Sequence, residues 1–189
     1  ERVAGLAAGD DANQEMLPGF LSGLNISFTD DVSAISDMDV YIIAVPTPVA
    51  SDNAPDLGAL TAATSTVGDL IGMRTAPYPP PTVVFESTVF PGCTESVCVP
   101  ILEGQSGLIA GTGFKVGYAP ERVNPGDSDH GFSDVVKVVA GQDPETVELL
   151  VDLYGRVTSA GVYRAPDIRT AEAAKVIENV QRDLNIALM

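Results

Sequence analysis

The decisive stretch is Asp39-Val-Tyr-Ile-Ile-Ala-Val-Pro-Thr-Pro48, a β-branched, near-continuous apolar run that stops on two prolines around a threonine. Such a run reads as a strand covered on both faces, which is the habit of a parallel sheet rather than of a half-solvated antiparallel one. The segment that follows, 56–73 (DLGALTAATSTVGDLIGM), has helical spacing, and 81–87 (PTVVFES) is a second run of the first kind. Strand, helix and strand in that order make a βαβ unit with a right-handed crossover. Working outward, further strands are expected at 25–28 (NISF), 114–120 (FKVGYAP), 135–141 (VVKVVAG) and 161–165 (GVYRA), with helices at 93–103 and 143–157 between them. The prolines of 76–81 (APYPPP) form a stiff, extended entry to the strand after them. The fold class is therefore α/β, βαβ units around a mainly parallel sheet, followed by a long helix.

The chain has 189 residues, enough for one domain that buries roughly 70% of its unfolded surface. At 45% hydrophobic residues and a mean hydropathy of +0.18 it is too apolar for disorder, and no window approaches the ~20 apolar residues of a membrane span. Ten Lys and Arg against 26 Asp and Glu give a net charge of −16, which repels phosphate backbones and anionic membranes, so neither nucleic acid nor a membrane is an expected partner. An acidic surface of this kind suits a salty cytoplasm and ordinary solubility alike. Cys93 and Cys98 match neither a disulfide framework nor a metal ribbon, and no signal peptide opens the chain; both features favour a reducing cytoplasm. The opening ERVAGLAAG has helical spacing with Gly9 as its cap, and the closing AEAAKVIENVQRDLNIALM is helical without a stop signal, so the chain is expected to be an excerpt of a longer protein.

Ligands of open parallel sheets bind beyond the carboxyl ends of the strands. Three such ends carry polar groups: Pro46 and Thr47 after the first, Glu86, Ser87 and Thr88 after the second, Glu121 and Arg122 after the third. Prolines and hydroxyls also shape turns and cap helices, and for any single loop that account suffices. Three loops on one rim point to a binding edge. Lys175 and Asn179, four residues apart on the last helix, share a face that is separate from the apolar stripe of Val176, Ile177, Val180, Leu184 and Leu188. A solvated face with Lys175 paired to Glu172 or Glu178 is the plain alternative. His130, the lone histidine, lies in the polar loop 124–130 and has no second histidine to help it hold a metal, so no metal site is expected.

Taken in order, Val45-Pro46-Thr47-Pro48, Glu86-Ser-Thr-Val-Phe-Pro-Gly92, Pro120-Glu-Arg-Val-Asn-Pro-Gly126 and Ala171-Glu-Ala-Ala-Lys-Val-Ile-Glu-Asn179 resemble the nucleotide-sugar 6-dehydrogenase (UDP-glucose/GDP-mannose dehydrogenase) family. Within it they look most like the UDP-N-acetylhexosamine dehydrogenases (mannosamine, glucosamine or galactosamine) of polysaccharide synthesis. The resemblance implies an NAD-dependent, four-electron oxidation of a UDP-sugar C6 alcohol to a carboxylate. It also implies an incomplete Rossmann-type doubly wound parallel sheet and a domain division: 1–165 as an NAD-binding Rossmann domain lacking its first βαβ unit, 166–189 as the start of a central helix through which a homodimer forms, and a carboxyl-terminal nucleotide-sugar domain absent. By the same resemblance Lys175 and Asn179 stabilise an oxyanion at C6, Glu121 serves hydrolysis of a thioester, and Thr88 positions a water beside the cofactor. Thr47 faces the NAD ribose or nicotinamide, with Pro46, Glu86 and Ser87 in the same cofactor-facing loops. Arg122 either contacts substrate or neutralises Glu121. Neither cysteine takes the family nucleophile's place, and both are expected to be small helix residues, so the excerpt alone is expected to be inactive. Two other readings stay open: a non-catalytic nucleotide-binding or dimerisation module, and a hydroxy-acid dehydrogenase on the same architecture.

Overall fold

The structure, a computed structural model, describes residues 1–10, 12, 19–75, 79–122 and 132–189, without the side chains of Ser22 and Phe132. The loop 124–130 with His130 and part of the proline stretch lie outside the described residues. The chain divides into two compact units, Glu1–Ser36 and Asp37–Met189.

In the first unit, helix α1 (Arg2–Ala7) ends as its sequence predicts. Gly9 adopts φ 83°, its N–H reaches the Leu6 carbonyl at 3.0 Å and the Asp10 N–H reaches Gly5 at 2.9 Å. That double bond is the Schellman closure, which the missing Cβ of glycine permits. Short 3₁₀ turns follow at Leu21–Gly23 and Val32–Ile35, the latter capped by Asp31, whose carboxylate accepts the Ser33 N–H at 3.0 Å. The strand expected at 25–28 is not formed. Among the described residues of this unit no second extended segment lies beside it to take its backbone groups, and Ile26 is exposed.

The second unit holds a sheet of five strands in the order β1 (Val40–Ile43), β2 (Thr82–Phe85), β3 (Lys115–Tyr118), β4 (Lys137–Gly141) and β5 (Val162–Arg164). Helix α2 (Gly58–Gly72) joins β1 to β2, and a π-helical turn (Thr94–Cys98) running into α3 (Val99–Ser106) joins β2 to β3. Helix α4 (Pro144–Gly155) joins β4 to β5, and α5 (Ile168–Ala187) closes the described fold. Side chains alternate between two cores, as the pleat requires. Val83, Phe85, Val116, Tyr118, Val138 and Ala140 pack with α2, α3 and α5, whereas Val84 and Val139 pack with Leu150 and Tyr154 of α4. Gly117 lies under α4, where a Cβ would come within 2.6 Å of Leu150 Cδ1. Two-sided burial holds for β2, but Ile42 on β1 is 48% exposed, because α4 packs against β3, β4 and β5 instead.

One pairing departs from the expected run of parallel crossovers: β4 is antiparallel to β3, with Tyr118 opposite Ala140 and Gly117 opposite Gly141. The reversal carries the start of β4, and with it Lys137, to the carboxyl ends of β2 and β3. Among the described residues no helix is long and apolar enough to cross a membrane.

Asp143 caps α4, accepting the Thr146 N–H at 2.8 Å while its other oxygen meets Lys115 at 2.5 Å. Burial pushes this carboxyl up, but Lys115 and Thr146 together hold it below the usual value of 3.8. A folded-state value below the unfolded one means stability that is complete above the carboxylate range and lost as pH falls through it. We expect Asp143→Ala to cost about 1 kcal/mol in urea denaturation at pH 7. At pH 3 the gap between variant and parent should shrink.

Candidate active site

The strands β1, β2 and β3 end level, Ile43 beside Phe85 and Phe85 beside Tyr118. Their following loops are laced together by side chains that sequence reading placed on one rim. The Thr47 hydroxyl donates to the Thr88 carbonyl at 2.6 Å, and the Ser87 hydroxyl donates to the Val45 carbonyl at 2.7 Å. Tyr118, buried under them, donates its phenol to the Ser87 carbonyl at 3.2 Å. Ser87 thus spends its proton inside the fold, while Thr88 and Pro46 stay exposed and Thr47 half-buried. Thr88 lies six residues before the π-helical turn and caps no helix, which sets aside its plain alternative role.

The far end of the same loop is held by Glu172 of α5, which is 0% exposed. Its carboxylate accepts the N–H of Gly92 and, at 2.9 Å, that of Thr94. These are donors at the opening of a helical segment, where the helix dipole favours a negative charge. Gly92 sits at φ +90°, and a Cβ there would come within 3.4 Å of Arg169 Nε. Burial, then the Glu172 charge, pushes the Tyr118 phenol well up, so it remains a donor. Cys93 and Cys98 lie buried in the adjoining turn, and a hydrogen bond shared with Cys93, together with burial, pushes the Cys98 thiol far up. Both thiols are buried, in keeping with a packing role.

At the near end, Glu86 meets a cation from the start of β4. Lys137 Nζ lies 3.2 Å from Glu86 Oε1 and 3.9 Å from Glu121 Oε2, and 4.8 Å from the centre of the Tyr154 ring. The Tyr154 hydroxyl donates to the same Glu86 oxygen. Glu121 Oε1 accepts the backbone N–H of Arg122 at 2.5 Å. The Arg122 guanidinium turns away to Glu178 at 2.9 Å, so of the two roles left open for it, neutralising Glu121 is not the one the side chain plays here. Glu178 also takes Arg182 at 3.0 Å. The plain alternative for Lys175 therefore falls away: Glu172 is bound to backbone donors and Glu178 to arginines. Lys175 is 8% exposed; burial draws its ammonium below the ordinary lysine range, against the pull of Glu178 and Glu121 and with the push of Arg182 and Arg122. Asn179 is half-buried one turn further along.

The structure thus brings Thr47 to Thr88, sets Glu121 among the charges acting on Lys175, and joins the two groups through the loop 86–94. It adds Lys137, Tyr154 and Glu172. A lysine inside VVKVVAG was a signal, since a charge in a strand covered on both faces needs a carboxylate. Tyr154 and Glu172 carried none, because each is defined by a partner more than 60 residues away. Among the described residues no cluster of His, Cys, Asp and Glu could hold a metal.

A mostly parallel sheet with helices on both faces and hydroxyls, carboxylates and a buried ammonium at its strand ends has the architecture of a nucleotide-binding α/β domain. Residues 10–158 match the model of the UDP-glucose/GDP-mannose dehydrogenase family, NAD binding domain, and the chain belongs to that family. It is 48% identical over its whole length to protein CapL of Staphylococcus aureus, of which it covers 43%. It is 43% identical to a UDP-N-acetyl-D-glucosamine 6-dehydrogenase of Pseudomonas aeruginosa, again over the whole chain and 43% of the relative. Among solved structures, the NDP-N-acetyl-D-galactosaminuronic acid dehydrogenase of Methanosarcina mazei Go1 superposes with a TM-score of 0.84 at 32% identity, over 99% of this chain and 40% of that one. The chain spans less than half the length of these relatives. The matched family model is an NAD binding domain; at the described rim Thr88 is exposed, while the Thr47 proton goes to the Thr88 carbonyl.

Replacing Glu172 by Gln turns an amide toward one of two buried N–H donors. We expect Glu172→Gln to lose about 1–3 kcal/mol in chemical denaturation. A variant as stable as the parent would remove Glu172 from the account of how the loop is held.

Proposed function

We propose that the protein to which this chain belongs is an NAD-dependent 6-dehydrogenase that oxidises the C6 alcohol of a UDP-N-acetylhexosamine to the uronate, for polysaccharide synthesis in the cytoplasm. The observation that carries this reading is the buried Lys175 ammonium at the strand-end rim, with Glu121 among its charged neighbours. In this reading residues 1–165 form the NAD domain and 166–189 begin a central helix for homodimerisation, which the exposed stripe of Ile177, Val180 and Leu184 supports.

NAD, when bound, accepts a hydride at each of the two oxidations. The chain's own groups manage position and protons. Thr47 and the Thr88 backbone hold the cofactor edge in register with the loop that Glu86 and Ser87 begin. Lys175 and Asn179 offer an ammonium and an amide to the C6 oxygen as negative charge grows on it, a contact stronger in the transition state than in the ground state. Burial strengthens that contact, because a desolvated ammonium has fewer competing waters. Glu121, its Oε1 fixed by the Arg122 N–H, presents a carboxylate able to orient a water for hydrolysis of the thioester that the second oxidation leaves. Arg122, held by Glu178, supplies a guanidinium for the sugar nucleotide.

The test uses the full-length protein with UDP-N-acetylglucosamine and NAD. We expect NADH formation with that substrate, and a Lys175→Ala variant whose kcat falls by about 10²–10³ while its NAD Kd stays within about twofold. Equal kcat in variant and parent would refute the role of Lys175. No NADH from any UDP-N-acetylhexosamine would refute the substrate class.

A further inference from the structure

We propose that Lys137 is a positioning residue for Glu121, acting on the reaction through that carboxylate without touching substrate. The inference rests on the reading above, in which Glu121 works at the reacting carbon.

The Lys137 side chain is only 4% exposed, and a buried ammonium is tolerated when carboxylates face it in fixed geometry. Here two do. Glu86 Oε1, at 3.2 Å, is the close partner, and it also receives the Tyr154 hydroxyl. Glu121 Oε2, at 3.9 Å, is the looser one. The Tyr154 ring lies 4.8 Å from the ammonium and screens it from solvent on that side. Glu121 is gripped from two directions, its Oε1 by the Arg122 N–H and its Oε2 by Lys137, while 44% of its side chain remains open. A carboxylate anchored by fixed partners yet still reached by solvent has the form of a group that must present itself at a fixed angle. An ion pair that served folding alone would be complete with Glu86. The second carboxylate, the exposed one, is the one at the rim. Without the cation the like charges of Glu86 and Glu121 would also push Glu121 out of place. The antiparallel pairing of β4 delivers the ammonium between them; a parallel β4 would have started at the opposite end of the sheet.

The experiment is a double-mutant cycle in the full-length enzyme with UDP-N-acetylglucosamine and NAD, together with a crystal structure of Lys137→Met. We expect Lys137→Met to lower kcat by about tenfold or more with little change in KM, and Lys137→Arg to restore most of the loss. In a Glu121→Gln background Lys137→Met should cost nothing further, because its effect passes through the missing carboxylate. In the crystal, the Glu121 carboxylate should leave the Arg122 N–H. Additive losses, or a Glu121 carboxylate unmoved in Lys137→Met, overturn the inference. If Lys137→Met does not fold, Lys137→Gln enters the same cycle and the same crystal comparison. Failure of the underlying reading looks different: Glu121→Gln would then keep the parent's turnover, whatever happens at Lys137, and the crystal structure would still decide whether Lys137 holds Glu121.

Discussion

The arrangement of the site depends on one buried carboxylate. Glu172 takes the N–H groups of Gly92 and Thr94 and so ties the loop after β2 to the helix that carries Lys175 and Asn179. These are groups from opposite halves of the second unit, and no strand pairing links them. A charge that is fully buried is costly unless its lone pairs are satisfied. Here the opening of a helical segment supplies both donors and a favourable field, so the same contact that neutralises the cost also fixes where α5 lies. Lys175 is one turn along from Glu172, and its position follows from the clamp.

A second tie acts at the other end of the same loop. Glu86 begins the segment and Thr94 ends it, and each end is pinned by a partner from a distant element: Lys137 and Tyr154 at one, Glu172 at the other. Between them lie Ser87 and Thr88, whose backbone and hydroxyl contacts reach the β1 loop. A loop pinned at both ends and laced in the middle is a rigid shelf. Rigidity of this kind suits a rim on which two ligands must meet at a set distance, since small misplacements cost rate steeply.

Much of the architecture was legible in the order of apolar runs. The runs at 39–46, 81–87, 114–120, 135–141 and 161–165 each hold a strand, and the helices fall between them. The run at 25–28 does not, because a four-residue apolar segment reads alike whether or not a neighbour exists to pair with it, and pairing is non-local. The direction of β4 was hidden for a similar cause: apolar periodicity gives the pleat but not the polarity of a strand. From that one reversal came the main omission at the site. Lys137 reads as an oddity of VVKVVAG until the antiparallel pairing of β4 places it against Glu86. The loop residues Thr47, Thr88, Glu121 and Arg122 were visible because strand-end loops of parallel sheets are where ligands gather. Glu172 was not, since nothing about AEAAK separates a carboxylate that faces water from one that faces two amides.

The π-helical turn at Thr94–Cys98 adds a final constraint. A turn of this sort carries one residue more than an α-helix would in the same rise, and such insertions persist where they serve a function. Shortening it by a single residue would wind the segment back to α geometry and rotate its first amides by about 100° relative to α3. The Thr94 N–H would then miss Glu172. Evolution can therefore vary the side chains of this turn far more freely than its length, and a one-residue deletion here would be felt at the far rim of the sheet.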